Sequence, residues 1–435
     1  MLCPMCPHHT HTHHNGACLP VGRFDFRNRH SVYHLERLSR SFTLIELLIV
    51  IAVIGLLAAM AVAALNTARV KSRDSRRAAD IHQITTALEL SFNFNDSYPN
   101  SGATVCLSTC MSGSPPAWCS ALLTQMLNIP NDPLPNQQCY LYNSDGSNFR
   151  VAAKLESSSN YDLAQSDGGL YPQFFEGQST PGQILLTAYK SVWPTTGLAQ
   201  LDPNYSSLVG WWDFEEGTGG AGATTADFSA GGNNGTLSAT PPTWQTQCPS
   251  GGCLSYDGAN HISTNSFGMS GTVLTLSAWM KVKFDATIIQ TIFSDNARAV
   301  GSGYLWIYRL NNTNYLAWEW ANATQYRNTS ATTFFADPYN DTWVHMLIVC
   351  DYPGHTTYFY RNGTLINTND MTGDAPIFPT TARVKYISRF NATTLPLTNG
   401  SIDDVRLYNI ALTPSQICHL CKEKKSASFC NNCSE

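Results

Sequence analysis

Charge is what this sequence has least of. Only 13% of its 435 residues are Asp, Glu, Lys or Arg, about half the share usual for soluble domains. Net charge is a mild −5, so there is no broad basic surface for nucleic acid, and none is expected as a partner. Common catalytic motifs are missing as well. There is no phosphate loop, no Ser-His-Asp nucleophile elbow and no His-Glu-x-x-His helix. A Glu-x-Asp-x-x-Glu strand, which would set two carboxylates across a glycan-cleaving cleft, is absent too. Trp318-Glu319-Trp320 supplies one acid, and His345 and His355 stand isolated. These gaps exclude the usual enzymes and leave a binding protein.

Long apolar runs are also scarce. One exists, Phe42–Leu65, apolar apart from Thr43 and Glu46. About 20 such residues cross a bilayer as a helix, whereas a secretory signal core has only about 7–15. Glu46 is the residue that needs explaining. A lone carboxylate inside hydrocarbon costs on the order of 3 kcal/mol, so near the end of the span it either snorkels to the interface or meets a positive charge at the same depth. Neither Gly nor Pro occurs between Leu56 and Tyr98, and Ile81, Ile84, Leu88 and Phe92 recur at helical spacing. Arg76 and Asp80 can pair one turn apart. The helix is therefore expected to continue to Asn95, stopped by Asn93, Asn95, Asp96 and Pro99.

Ser41 to Leu48, Ser-Phe-Thr-Leu-Ile-Glu-Leu-Leu, resembles the processing signal of type IV pilins and type II secretion pseudopilins. The resemblance implies that a prepilin peptidase cuts between Ser41 and Phe42 and that the new N-terminus is methylated. Glu46 then holds the family's glutamate position, where the Phe42 amine of a neighbouring subunit neutralises it. Where the family carries Gly before the cut, this chain has Ser41, which is also small. Residues 1–41, with Cys3, Cys6, Cys18 and five nearby His, read as a leader that cleavage removes. Translation is expected to begin near Val21 or Val32. An N-in, C-out topology follows from the same resemblance.

Beyond the helix (42–95), residues 96–175 read as a small β head. Tyr140 and Tyr142, a Ser144–Ser147 turn, and then Phe149, Val151, Ala153 and Leu155 alternate as a hairpin. Cys106, Cys110, Cys119 and Cys139 are expected to staple its loop. Cys248 and Cys253 flank a turn, which fits an oxidising compartment. Cys350 lies in an apolar run and reads as a buried thiol. Residues 176–207, rich in Pro, Gly, Thr and Gln, read as a linker, apart from Ile184–Tyr189, which reads as a candidate strand of the head.

From residue 208 to 417 short strands alternate with turns, so a sandwich or jelly roll is expected. The overall class is α+β, a long helix and small head followed by an all-β domain. Gly210–Gly217, Asp227–Ser229, Asn233–Leu237, Leu254–Gly258, Ser277–Trp279, Thr342–His345, Tyr360–Gly363 and Ile402–Asn409 together resemble the laminin G-like, concanavalin A-type family. That family often binds Ca²⁺, and Asp227, Asp257 and Asp403 are the candidate ligands, with a turn-forming role the alternative for Asp227 and Asp257. Trp306, Tyr308, Trp318 and Trp320 are candidates for stacking on sugar rings. In the tail, 418–435, Cys418, Cys421, Cys430 and Cys433 have zinc-knuckle spacing; outside a cell, disulfides between the two pairs are the alternative. Lys422, Lys424 and Lys425 between them read as a soluble tail.

The expected protein is a single-pass membrane protein with its C-terminal part outside the cytoplasm. It would act as a minor pilin or pseudopilin, packing with other subunits and presenting an adhesive domain to a glycan or protein ligand. The alternative is a surface receptor that never polymerises.

Overall fold

The computed structural model describes residues 44–430, apart from 158–159, 161–162, 165–166, 168, 170–172, 181–185, 187–188, 194–197, 284, 286, 296–303, 311–312, 392–394 and 426–428. Ser41, Phe42 and Cys433 lie outside the described residues. Residues 1–62 and 63–435 form two compact units.

Helix α1 (Leu44–Asn95) begins in the first unit. There its apolar side chains, from Leu44 to Val62, are exposed, and Glu46 sits in its first turn. Among the described residues it is the one helix long and apolar enough to cross a membrane.

In the second unit the end of α1 becomes amphipathic, as the spacing predicts. Ile81, Ile84 and Leu88 are fully buried, and Phe92 is half-buried. They pack on an antiparallel sheet of β1 (Val105–Cys106), β2 (Leu141–Ser144), β3 (Phe149–Lys154) and β4 (Phe174–Gln178), in that order. The contact is close: a side chain at Gly177 on β4 would collide with Thr85 of the helix. The expected hairpin is β2–β3, with Tyr142 opposite Val151. Disulfides Cys106–Cys139 and Cys110–Cys119 hold the intervening loop and its helix α2 (Cys119–Gln125) to the sheet. Part of the basic stretch after the span is not a membrane flank. Arg77 is fully buried and donates to Asp132 at 2.6 Å and Asp74 at 3.0 Å, while Arg73 reaches Glu156 at 2.5 Å. Arg76 pairs with Asp80 at 3.6 Å.

The remaining strands, in chain order, are β5 (Leu208–Trp212), β6 (Thr224–Thr225), β7 (Gly235–Leu237), β8 (Thr243–Gln245), β9 (Cys253–Tyr256), β10 (Ile262–Thr264), β11 (Val273–Val282) and β12 (Gln290–Ser294). They continue with β13 (Leu305–Arg309), β14 (Leu316–Ala321), β15 (Tyr326–Ala331), β16 (Trp343–Asp351), β17 (Thr356–Arg361), β18 (Thr364–Asp370), β19 (Tyr386–Ile387) and β20 (Gly400–Tyr408). One sheet runs β18-β17-β16-β11-β20-β9-β8, with β5 also on β20; the other runs β15-β14-β13-β12-β19-β10-β7-β6. Alternate residues of both close a single core that includes Trp212, Leu276, Met280, Phe293, Ile307, Trp318, Trp320, Met346, Phe359 and Leu407. Cys350 is a buried free thiol in that core.

Two expectations fail. Residues 176–207 are not a free linker. Strand β4 runs to Gln178, and helices α3 (Tyr189–Val192) and α4 (Leu198–Leu201) bury Tyr189, Trp193 and Leu201. The tail is not a soluble one either. Helix α5 (Pro414–Lys424), opened by a Thr413/Gln416 capping box, buries Ile417, Cys418, Leu420 and Lys424. Both segments enter one cluster with Leu141 and Phe174 of the head and Trp211, Leu347, Val349 and Tyr408 on the outer face of the first sandwich sheet. Short apolar residues spaced through polar composition look like linker in sequence. Here each has a partner from the other domain.

Arg406 fastens this junction. Its guanidinium donates to Asp202 (2.9 Å), Asp404 (2.8 Å) and Glu423 (2.7 Å) and lies over Trp211. Burial alone would lift the Glu423 carboxyl, but Arg406 outweighs it and holds it down at about 2. Removing one partner of a buried pair costs roughly 3–5 kcal/mol because the others stay desolvated. Arg406→Met should therefore destabilise the full chain by about that much, read as a drop in the denaturant midpoint of tryptophan fluorescence.

Candidate binding and assembly sites

A bulge on β20 builds the charged side of the junction. Ser277 faces Arg406 and Trp279 faces Asp403, so β20 carries one extra residue there. Asp404 takes a left-handed backbone (φ 49°). Consecutive strand residues normally point to opposite faces. The bulge instead keeps Ile402 and Val405 in the sandwich core and sends Asp403, Asp404 and Arg406 to the junction. Lys424 of α5 reaches Glu215 at 3.1 Å and Asp403 at 3.4 Å. Burial raises the Asp403 carboxyl well above its ordinary range and the Glu215 carboxyl above its own. Asp404 would be raised by burial too, yet Arg406 and Lys424 hold it well below. Lys190 of α3 is in direct contact with Asp213, and its ammonium also meets the Tyr189 hydroxyl at 2.8 Å. Burial works against that ammonium, but Asp213 and Tyr189 more than compensate, and its pKa is raised.

The three calcium candidates do not converge. Asp227 accepts from the backbone N–H of Trp211, Ser229 and Asn233, the work of a turn former. Asp257 caps its own turn through Ala259 N–H and lies beyond the Tyr256–Gly400 pair. Asp403 faces Lys424, a cation from its own chain. No group of three or more His, Cys, Asp or Glu side chains is arranged around a metal position among the described residues. In the tail, Cys421 and Cys430 form a disulfide between the two Cys pairs, and Cys418 is a buried thiol.

The sugar-stacking candidates are buried as well. Trp318 and Trp320 point into the sandwich core at 1% and 2% exposure. Trp306 and Tyr308, on the opposite face of the second sheet, stack on each other at 3.9 Å. They sit in a cluster with Tyr304 and Phe390 that leaves them 6% and 4% exposed. None offers a ring to solvent.

An open site lies elsewhere. A polar groove of about 240 Å³ crosses one end of the first sandwich sheet. Register explains it. Trp343 lies opposite Lys281, Lys281 opposite Ser401, Ser401 opposite Ser255 and Ser255 opposite Thr243. One row of outward side chains thus spans β16, β11, β20, β9 and β8. Gln245, Gln247 and Asn399 complete the lining. The Trp343 indole is half-buried, and its Nε1–H donates to the Gln247 carbonyl at 3.1 Å. The Cys248–Cys253 disulfide closes the turn that carries Gln247. Lys281 and Asp341 pair loosely at 3.8 Å. The Thr342–His345 motif marks Trp343 in the sequence, but only strand register puts it beside Lys281, Ser401 and Ser255.

On the head, a second groove of about 450 Å³ is lined by Thr86, Ala87 and Leu90 of α1 and by Met126 and Leu127. Leu127 is 89% exposed, and Phe94, one turn from Leu90, is 74% exposed.

Residues 37–62 match the prokaryotic N-terminal methylation motif. Residues 256–418 match the laminin G type of the concanavalin A-like lectin/glucanases superfamily. The chain joins a prepilin signal to a laminin G-like domain. Strands β5 to β9 precede the matched span, yet β5 and β9 pair with β20 and belong to the same sheet. The botulinum neurotoxin serotype D binding domain is similar over 51% of each chain, at 13% identity and a TM-score of 0.38. The binding domain of Paraclostridial Mosquitocidal Protein 1 is similar over 50% of this chain and 52% of its own, at 16% identity and a TM-score of 0.39. A serotype D ligand binding domain in complex with N-acetylneuraminic acid has 13% identity and a TM-score of 0.39, over 51% and 52%. This chain therefore spans about half the length of these structures. No curated protein matches.

Inside the laminin G-like domain, His345 is buried, its Nε2 2.8 Å from Ser277 Oγ and its ring stacked on Trp279. Burial pushes its pKa down to about 4. An unfolded His titrates near 6.5. As pH falls, the unfolded chain takes up this proton first. The stability held above about pH 6.5 is therefore lost on acidification toward about 4. His345→Gln should flatten that part of a melting-temperature-against-pH curve.

Proposed function

We propose that this chain is a pilin-like surface protein that anchors in the membrane through α1, packs with pilin or pseudopilin subunits, and presents its laminin G-like domain outside the cytoplasm as a binding head. One observation carries the reading. A single acid, Glu46, stands in the first turn of an exposed apolar helix, inside the span that matches the methylation motif. A carboxylate at that depth is tolerated when a new amine on an adjoining subunit neutralises it. The prepilin peptidase is the enzyme that would expose that amine, on Phe42. The exposed Leu90, Phe94 and Leu127 beside the head groove support packing against a neighbouring copy, since exposed apolar side chains mark contact surfaces. A sandwich of this size would crowd a filament shaft, which favours sparse or tip placement.

For the ligand, the polar groove is the better site than the buried aromatics. One indole beside amides and hydroxyls suits a neutral saccharide, with the ring packing on the sugar face and the polar groups meeting its hydroxyls. The role is binding, not turnover.

Mass spectrometry of the membrane-extracted protein should find a mature chain that begins with methylated Phe42. Glu46→Ala should abolish incorporation into surface filaments, measured by immunogold labelling, while leaving membrane insertion intact. A chain beginning elsewhere, or unchanged assembly of the alanine variant, would sink the pilin reading. On a printed glycan array the full chain should retain a subset of saccharides. Trp343→Ala should weaken that signal at least about tenfold without lowering the melting temperature.

A further inference from the structure

Among the buried ion pairs of the junction, Lys190 and Asp213 differ from the rest. The Lys190 side chain is 2% exposed and the Asp213 side chain 1%, and the amine touches the carboxylate directly. The rings of Tyr189, Trp211 and Phe228 lie 4.2, 4.8 and 5.6 Å from the Lys190 nitrogen. These aromatics wall the pair off from water. The other carboxylate oxygen, Asp213 Oδ1, has no hydrogen-bond partner among the described residues. By contrast, Arg406 is shared among three carboxylates and Lys424 between two. Glu215, two residues beyond Asp213, is buried and interacts electrostatically with both members of the pair.

We propose that Lys190 and Asp213 condense to an intramolecular amide, a covalent cross-link between the segment that precedes the laminin G-like domain and the end of its first strand. The chemistry needs no cofactor. A proton passes from the Lys190 ammonium to the Asp213 carboxylate, which leaves a neutral amine against a neutral acid. The neutral pair is the minor form, because contact with Asp213 favours the charged Lys190, and amide formation draws on that form as it is replenished. The Nζ lone pair attacks Cγ, and a new N–C bond forms. The Cγ–O bond then breaks, and the hydroxyl leaves as water with the proton that the nitrogen gives up. Ammonium plus carboxylate become amide plus one water, so atoms and charge balance and nothing is oxidised. Held contact replaces the high concentration a bimolecular amide synthesis would require, and exclusion of water keeps the reverse hydrolysis slow.

The test is peptide mapping of the full chain after reduction and alkylation. Trypsin should fail to cut after Lys190. Trp193, Tyr205 and Trp211 lie between the two residues, so a protease that cuts at aromatics should release a branched species. It should join the Lys190 and Asp213 peptides at a mass about 18 Da below their sum. Fragment spectra should locate the link on those two side chains. Lys190→Gln and Asp213→Ala should each give linear peptides only, and this is readable whether or not the variants fold. Linear peptides from the unaltered protein, with normal cleavage after Lys190, would overturn the cross-link.

Discussion

One guanidinium carries the junction on which the second unit depends. Arg406 is buried among Asp202, Asp404 and Glu423. Those carboxylates come from the supposed linker, the sandwich and the C-terminal helix. A buried charge is tolerated only when its partners are fixed around it, so each of these segments must be in place for the others to be stable there. The β20 bulge makes this possible by turning two neighbouring acids to one face without exposing the sandwich core to either.

What the sequence revealed and what it hid divide along a physical line. Features encoded by local period were legible. The stripe of Ile81, Ile84 and Leu88 gave the helix face, alternation from Tyr140 to Leu155 gave the hairpin, and Cys350 in an apolar run was a buried thiol. Features decided by a distant partner were not. Trp193 and Leu201 are diluted by polar neighbours, and only the outer face of the sandwich explains their burial. Lys424 sits in a lysine-rich tail that reads as solvated, yet it meets Glu215 and Asp403. The same limit applied to the candidate site. Trp318 and Trp320 share a face, as the alternation implies, but whether that face is core or solvent depends on the opposing sheet. Asp403 reads as a candidate metal ligand because its motif resembles a family that often binds Ca²⁺, but that Lys424, far along the sequence in the C-terminal helix, faces it cannot be anticipated from spacing.

Disulfides and ion pairs share the work of stiffening a chain with little charge to spare. Cys106–Cys139 and Cys110–Cys119 brace the head loop, Cys248–Cys253 sets one wall of the polar groove, and Cys421–Cys430 closes the C-terminal turn. Three of them link cysteines nine or fewer residues apart and act mainly through local rigidity, whereas Cys106–Cys139 spans 33 residues and removes the most unfolded-state entropy. Apolar surface left open is concentrated on the first part of α1 and beside Leu127, the places that a bilayer and a neighbouring subunit would cover.

Strand β20 starts at the groove, with Gly400 and Ser401, and ends at the junction, with Arg406 and Tyr408. A ligand held at one end and an anchor at the other would therefore pull along the strand's own axis. Its backbone bonds to β11, β9 and β5 would then be loaded in shear, all at once, rather than peeled apart singly. Tethered under flow, such a domain resists tension by the direction in which it is hung as much as by the strength of its core.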